Sequence, residues 1–198
     1  GANVQLSGTS ATFFNRSTGQ GTLLLRGTHL GLNDTNTATA APGATNTSVV
    51  SSVAQTNFVG STTATNGDSA FRVIPWIVID PSATGTGTSA AAQFGTYDAT
   101  AANGFRPLIA SSETTTAFTV GTNVRLTGAL TVGAAATTMT ATSVNSLTFE
   151  SGGSLTIDDY RTLTNASGGI LAKASATIAT TGSGIGKGAI FGNSITEA

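Results

Sequence analysis

The chain has 198 residues, a net charge of −1 and only 9% charged residues. Eight scattered Lys and Arg build no basic patch, so nucleic acid is excluded as an expected partner. There is no cysteine, hence no disulfide framework and no thiolate metal site. No long apolar run reads as a transmembrane helix.

Polar character comes from Thr, Ser and Asn instead of charge. The 38 Thr favour strands through β-branching, while the helix formers Glu and Lys are scarce. An all-β chain with very little helix is expected. It begins Gly-Ala, without Met and without an apolar leader, which reads as a processed or partial chain whose signal peptide is absent or removed.

Residues 1–32 read as the first strands of a repeat. Val4 and Leu6 alternate, as do Leu23 and Leu25, and Phe13 to Leu32 repeats the same step of 19. Residues 33–48 have no apolar period and read as a loop or side excursion. Val49, Val50, Val53, Phe58 and Val59 read as short strands around it. The most hydrophobic run, 69–81, predicts strand at Phe71–Val73 and Trp76–Ile79, with Pro75 forcing an edge or a bulge. Residues 82–92 form a second small-residue loop. Phe94, Tyr97, Phe105, Leu108 and Ile109 then anchor an apolar stretch with a turn at 102–104. The stretch 33–115 is thus expected to be an aromatic-rich insertion packed on one side of the repeat.

Residues 116–198 carry the clearest period. Val124/Leu126, Leu147/Phe149 and Ile170/Ala172 recur every 23 residues, and Val132, Leu155 and Ile178 keep the same step. Alternation places one set of side chains inward and Thr outward. Gly, Ser and Asn between the pairs supply corners that tolerate positive φ. Such a short period is the mark of a parallel β-helix, or β-solenoid, in which stacked coils cover each other's apolar face. An antiparallel sandwich with evenly spaced hairpins is the competing architecture. The tail, with Ile190, Phe191 and Ile195, reads as one more coil. A bare coil end is an unpaired edge, which implies more chain, a cap or a neighbouring molecule. The whole is expected as one continuous domain: first coils at 1–32, insertion at 33–115, regular coils at 116–198.

"GQGTLLLRG" (19–27) and "GSLTI" (153–157) resemble the strand motifs of autotransporter-associated β-strand repeat proteins. The middle of the chain resembles a block found between such repeats, at Ile74, Pro75, Trp76, Phe94, Tyr97, Asn103, Gly104, Phe105, Arg106, Pro107 and Leu108. The resemblance implies a right-handed β-helical passenger, secreted and exposed on a bacterial surface, with a structural or adhesive role and no catalytic residues.

Little chemistry is legible. His29 is the sole histidine, between Leu30 and Thr28, and a Ser-His-Asp triad would need it with Asp34. Asp158 and Asp159 are adjacent; on a strand they face opposite ways, and in a corner they are a weak Ca²⁺ candidate. "GSGIGKG" (182–188) imitates a phosphate loop but has Thr181 and Gly188 where the pattern wants Gly and Ser or Thr. The sequons at Asn15, Asn33, Asn46 and Asn165 are common by chance in such a composition. No catalytic residue, metal or cofactor is expected. The expected role is a structural element outside the cell that self-associates, end to end or laterally, into a fibre, layer or adhesive stalk. The alternative is a carbohydrate-binding module, for surface polysaccharide, using Trp76, Phe94 and Tyr97.

Overall fold

A computed structural model describes residues 3–6, 21–32, 46–52, 55, 57–82, 91–98, 104–133, 140–181 and 189–192. Phe13, Val53, Asn103, Ile195, most of the loop at 33–48, the 83–90 part of the second loop, the sequons at Asn15 and Asn33, and 182–188 lie outside these residues. The described residues are all-β, without helix.

Nine strands carry the periodic region. They are β7 (Asn123–Leu126), β8 (Ala129–Val132), β9 (Thr140–Val144), β10 (Ser146–Phe149), β11 (Ser154–Ile157), β12 (Arg161–Asn165), β13 (Ile170–Ala172), β14 (Thr177–Thr180) and β15 (Ala189–Gly192). They form three parallel sheets, in the orders β13-β10-β7, β14-β11-β8 and β15-β12-β9. Leu147 faces Val124 on one side and Ile170 on the other; Phe149 faces Leu126 and Ala172. Both columns predicted from the 23-residue step are therefore in register.

The third column needs a correction. Leu155 faces Ile178 but is opposite Leu130, while Val132 is opposite Ile157. The reason lies in the corners. Two residues separate β7 from β8, whereas four separate β10 from β11 and β13 from β14. β8 therefore begins two residues early, and Val132 shares the step of 23 without sharing the register.

Val124, Leu126, Val132, Val144, Leu147, Phe149, Leu155, Ile157 and Leu163 are buried together. Strands from all three sheets contribute, so their apolar faces meet in one core. Polar side chains repeat the spacing. Ser146 Oγ donates to Asn123 Oδ1 (2.9 Å), Lys173 Nζ to Glu150 Oε1 (2.8 Å) and Thr181 Oγ1 to Asp158 Oδ1 (2.8 Å), each between residues 23 apart.

The remaining strands are β1 (Asn3–Leu6), β2 (Leu23–Arg26), β3 (Ser48–Ser51), β4 (Ile74–Asp80), β5 (Gln93–Asp98) and β6 (Gly104–Pro107). They make one curled six-stranded sheet in the order β1-β3-β6-β5-β4-β2. The 19-residue step does not stack β1 on β2. β1 pairs in parallel with β3 and β2 with β4, and the two lie at opposite edges. Alternating aliphatics suit any half-buried strand, so two copies at one spacing do not fix neighbours. β4 and β5 are antiparallel, with a register shift between Ile74 and Val78. That irregularity spans Pro75, whose missing N–H predicts it.

This sheet buries Leu30, Val49, Ile74, Ile77, Ile79, Tyr97 and Phe105. A third cluster, Phe71, Val73, Phe94 and Leu108, has Leu171 of β13 packed against it and so joins the sheet to the periodic strands. Asn123 ties the same joint with polar bonds. Its backbone N–H donates to Ser69 O (2.8 Å) and its Nδ2 to Phe71 O (2.7 Å).

Truncating a column residue in the middle strand removes contacts on both sides. Phe149→Ala should destabilise by about 3–5 kcal/mol. Leu24→Ala, on the exposed face of β2, should change stability by no more than about 0.5 kcal/mol. Urea unfolding of both variants checks this; equal losses would contradict the assigned core.

Candidate functional site

Charge is rare in this chain, yet one arginine is wholly inside it. Arg106 sits in β6 between Phe105 and Pro107, and its side chain is 0% exposed. A buried guanidinium needs paired acceptors, because an isolated buried charge is very costly. Glu113, also fully buried, supplies a two-pronged pair: Nη1 to Oε2 at 2.7 Å and Nη2 to Oε1 at 2.8 Å. Nη1 also donates to Pro107 O (3.0 Å) and Nη2 to Asn66 Oδ1 (3.0 Å). Asp98 lies 3.5 Å from Nε, and Asn66 Nδ2 donates to it at 2.6 Å. The face of the guanidinium lies 4.9 Å from the Phe71 ring centre.

Two carboxylates against one guanidinium leave excess negative charge. Backbone N–H groups of Gly67 (3.1 Å) and Ile109 (2.9 Å) donate to Glu113 and offset it. The cluster thereby ties the segment around Asn66, β5, β6 and the turn at 109–113 into one unit. Glycine is required next to it. Gly104 has φ +67, and a side chain there would collide with the Val49 carbonyl of β3; a side chain at Gly31, at φ +69, would collide with Phe105 O.

One wall of the adjoining cleft is the segment Pro107–Ala110, held from beneath by this cluster. His29, Leu32, Pro81, Ser82 and Gln93 line the rest, around a volume of about 330 Å³. His29 is held at φ 46, its backbone N–H donating to Pro81 O (3.2 Å). His29 Nδ1, Ser82 Oγ and Gln93 Oε1 are shielded and make no hydrogen bond among the described residues. Among the described residues no Asp, Glu, Lys or Arg lines the cleft. Asp34, the partner a triad would need, lies outside the described residues.

The residues singled out from sequence go to different places. Phe94 and Tyr97 are 2% and 7% exposed. Phe94 belongs to the joint with the periodic strands, and Tyr97 meets Phe105 edge-on at 4.9 Å between ring centres. Neither offers a ring face to a ligand in this arrangement. Trp76 is half-buried against the core of the curled sheet. The three do not form one aromatic surface. Asp158 and Asp159 occupy the corner between β11 and β12, where Thr181 donates to Asp158. Among the described residues no three His, Asp or Glu gather in a way that would hold a metal ion. No helix among them is long and apolar enough to cross a membrane.

Sequence reading named Arg106 only as part of a motif and missed Asn66, Asp98 and Glu113. The available signal was the lone arginine inside the apolar run Gly104–Ile109, with acids at Asp98 and Glu113 on either side. Neither a family model, nor a curated protein, nor a solved structure matches the chain.

The cluster is a stability element. Glu113→Ala leaves Arg106 buried without its two-pronged partner and should cost about 3–5 kcal/mol. Asp98→Asn should cost less, since Asp98 stands at 3.5 Å from Nε. Chemical denaturation ranks them; an equal or reversed ranking would contradict the assigned geometry.

Proposed function

We propose that this chain is a segment of a right-handed parallel β-helix that works as a structural element on a bacterial surface. It acts there by self-association into a fibre, layer or adhesive stalk. The supporting feature for the architecture is the in-register parallel stacking of Val124, Leu147 and Ile170, and of Leu126, Phe149 and Ala172, around a core shared by three sheets. The autotransporter-associated repeat resemblance suggests the setting and the handedness.

Self-association rests on one observation. Ile170 and Ile178 continue columns whose other members are buried or, in the case of Leu130, partly buried, yet they are 46% and 41% exposed. Leu147 and Leu155, directly beneath them, are both at 0%. β13 and β14 are also the last strands of their sheets, so their outer backbone groups lack ladder partners among the described residues. An exposed apolar edge of that kind is a template for another chain. A catalytic role finds no support: the charged groups that cluster, Asp98, Arg106 and Glu113, are buried and bound to one another. The carbohydrate-binding alternative retains only Trp76 of its three aromatic residues.

Sedimentation velocity over a range of protein concentrations tests the reading. Wild type should form growing assemblies, and the variant carrying Ile170→Lys with Ile178→Lys should remain monomeric with an unchanged circular dichroism spectrum. Monomeric wild type at the highest soluble concentration would contradict it.

A further inference from the structure

A strand at another sheet edge, β1 of the curled sheet, has the same design. β1 reads Asn-Val-Gln-Leu and β7 reads Asn-Val-Arg-Leu. Their partners match as well: Asn3 is opposite Ser48, as Asn123 is opposite Ser146. Val4 is opposite Val49, as Val124 is opposite Leu147. β1 thus has the sequence of a first rung, and it pairs in parallel with β3, a strand later in the chain, as β7 does with β10.

Its exposure is the mirror of the other end. Val4 is 46% exposed above Val49, which is 8% exposed. Ile170 is 46% exposed above Leu147, which is 0% exposed. Each edge presents an apolar residue over a buried column mate, and each strand is the last in its sheet. Crossovers between parallel strands are right-handed almost without exception. The free side of β13 is therefore the side on which a later coil would stack, and the free side of β1 is the side on which an earlier coil would stack. The two are complementary in sense as well as in pattern.

We propose that the free edge of β13 receives β1 of a second copy of this chain in parallel, with Val4 at the register of Ile170 and Leu6 at that of Ala172. The pairing completes the backbone ladder of both strands and extends both columns. It is heterologous, so each added copy leaves the same two edges free, and the product is an open filament instead of a closed dimer. This deepens the self-association reading and rests on it.

The absence of native cysteine makes the pairing directly testable by disulfide formation. Stacked strands place register partners about 4.8 Å apart, within disulfide reach. The full chain carrying both Val4→Cys and Ile170→Cys should oxidise to a reducible ladder of oligomers. Val4→Cys mixed with Ile170→Cys should give the mixed dimer at least about tenfold over either homodimer. Both positions are half-exposed, and thermal melts of the single variants check that the fold is kept. Ile170→Lys or Val4→Lys alone should abolish assembly, and Val4→Asp mixed with Ile170→Lys should restore one junction. Assemblies that form without the Val4–Ile170 cross-link, or equal yields of homodimers, would overturn the pairing while leaving self-association standing. A chain that never assembles would overturn both.

Discussion

Each strand of the periodic region depends on the strand beside it. β10 takes backbone hydrogen bonds from β7 on one side and β13 on the other, and its Leu147 and Phe149 are covered by residues from both. Neither requirement can be met by one strand alone, because a three- or four-residue strand has no partner of its own and buries too little apolar surface. Register and burial are therefore the same constraint. A slip of one residue would turn every inward side chain outward. The polar bonds between Asn123 and Ser146, and between Glu150 and Lys173, reinforce that register at the corners. The exposure of Ile170 and Ile178 has the same origin, since they are column positions with no further strand beside them among the described residues.

The curled sheet is held in a different way. Its strands come from distant parts of the chain, and antiparallel pairs join β4, β5 and β6 while the outer pairs are parallel. Beside its apolar core it contains the fully buried Arg106, held by Glu113, Asp98 and Asn66. Such a cluster is unforgiving: removing one partner leaves a charge stranded away from water. In a chain with so few charges, placing three of them in one interior cluster suggests that it specifies which segments meet. Asn123 and Leu171 then join this sheet to the periodic strands, so the two parts share residues with the stacked columns instead of hanging from a linker.

The sequence revealed the parts whose physics is local. Alternation with a constant step exposed the columns through Leu147 and Phe149, and Pro75 announced the irregularity in β4. Where corner lengths vary, the step misleads: Val132 keeps the spacing of Leu155 but not its register. Long-range pairing left no local trace. Nothing in the pattern of β1 and β2 says that one joins β3 and the other β4. The aromatic residues illustrate the same limit. Phe94 and Tyr97 look like ligand-stacking residues in a chain poor in aromatics, but each is buried in an apolar cluster. Glu113 was invisible because its partner is chosen by the fold, although a lone arginine in an apolar run signals that some carboxylate must answer it.

The account stands on the vertical contacts of Leu147 and Leu155, and methyl-labelled NMR reads them directly. Nuclear Overhauser cross-peaks should connect the Leu147 methyls with those of both Val124 and Ile170. They should also connect the Leu155 methyls with those of Leu130 and Ile178, since column neighbours on parallel strands lie about 5 Å apart. Leu147 methyls contacting neither neighbour, or Leu155 contacting Val132 instead of Leu130, would contradict the stacking.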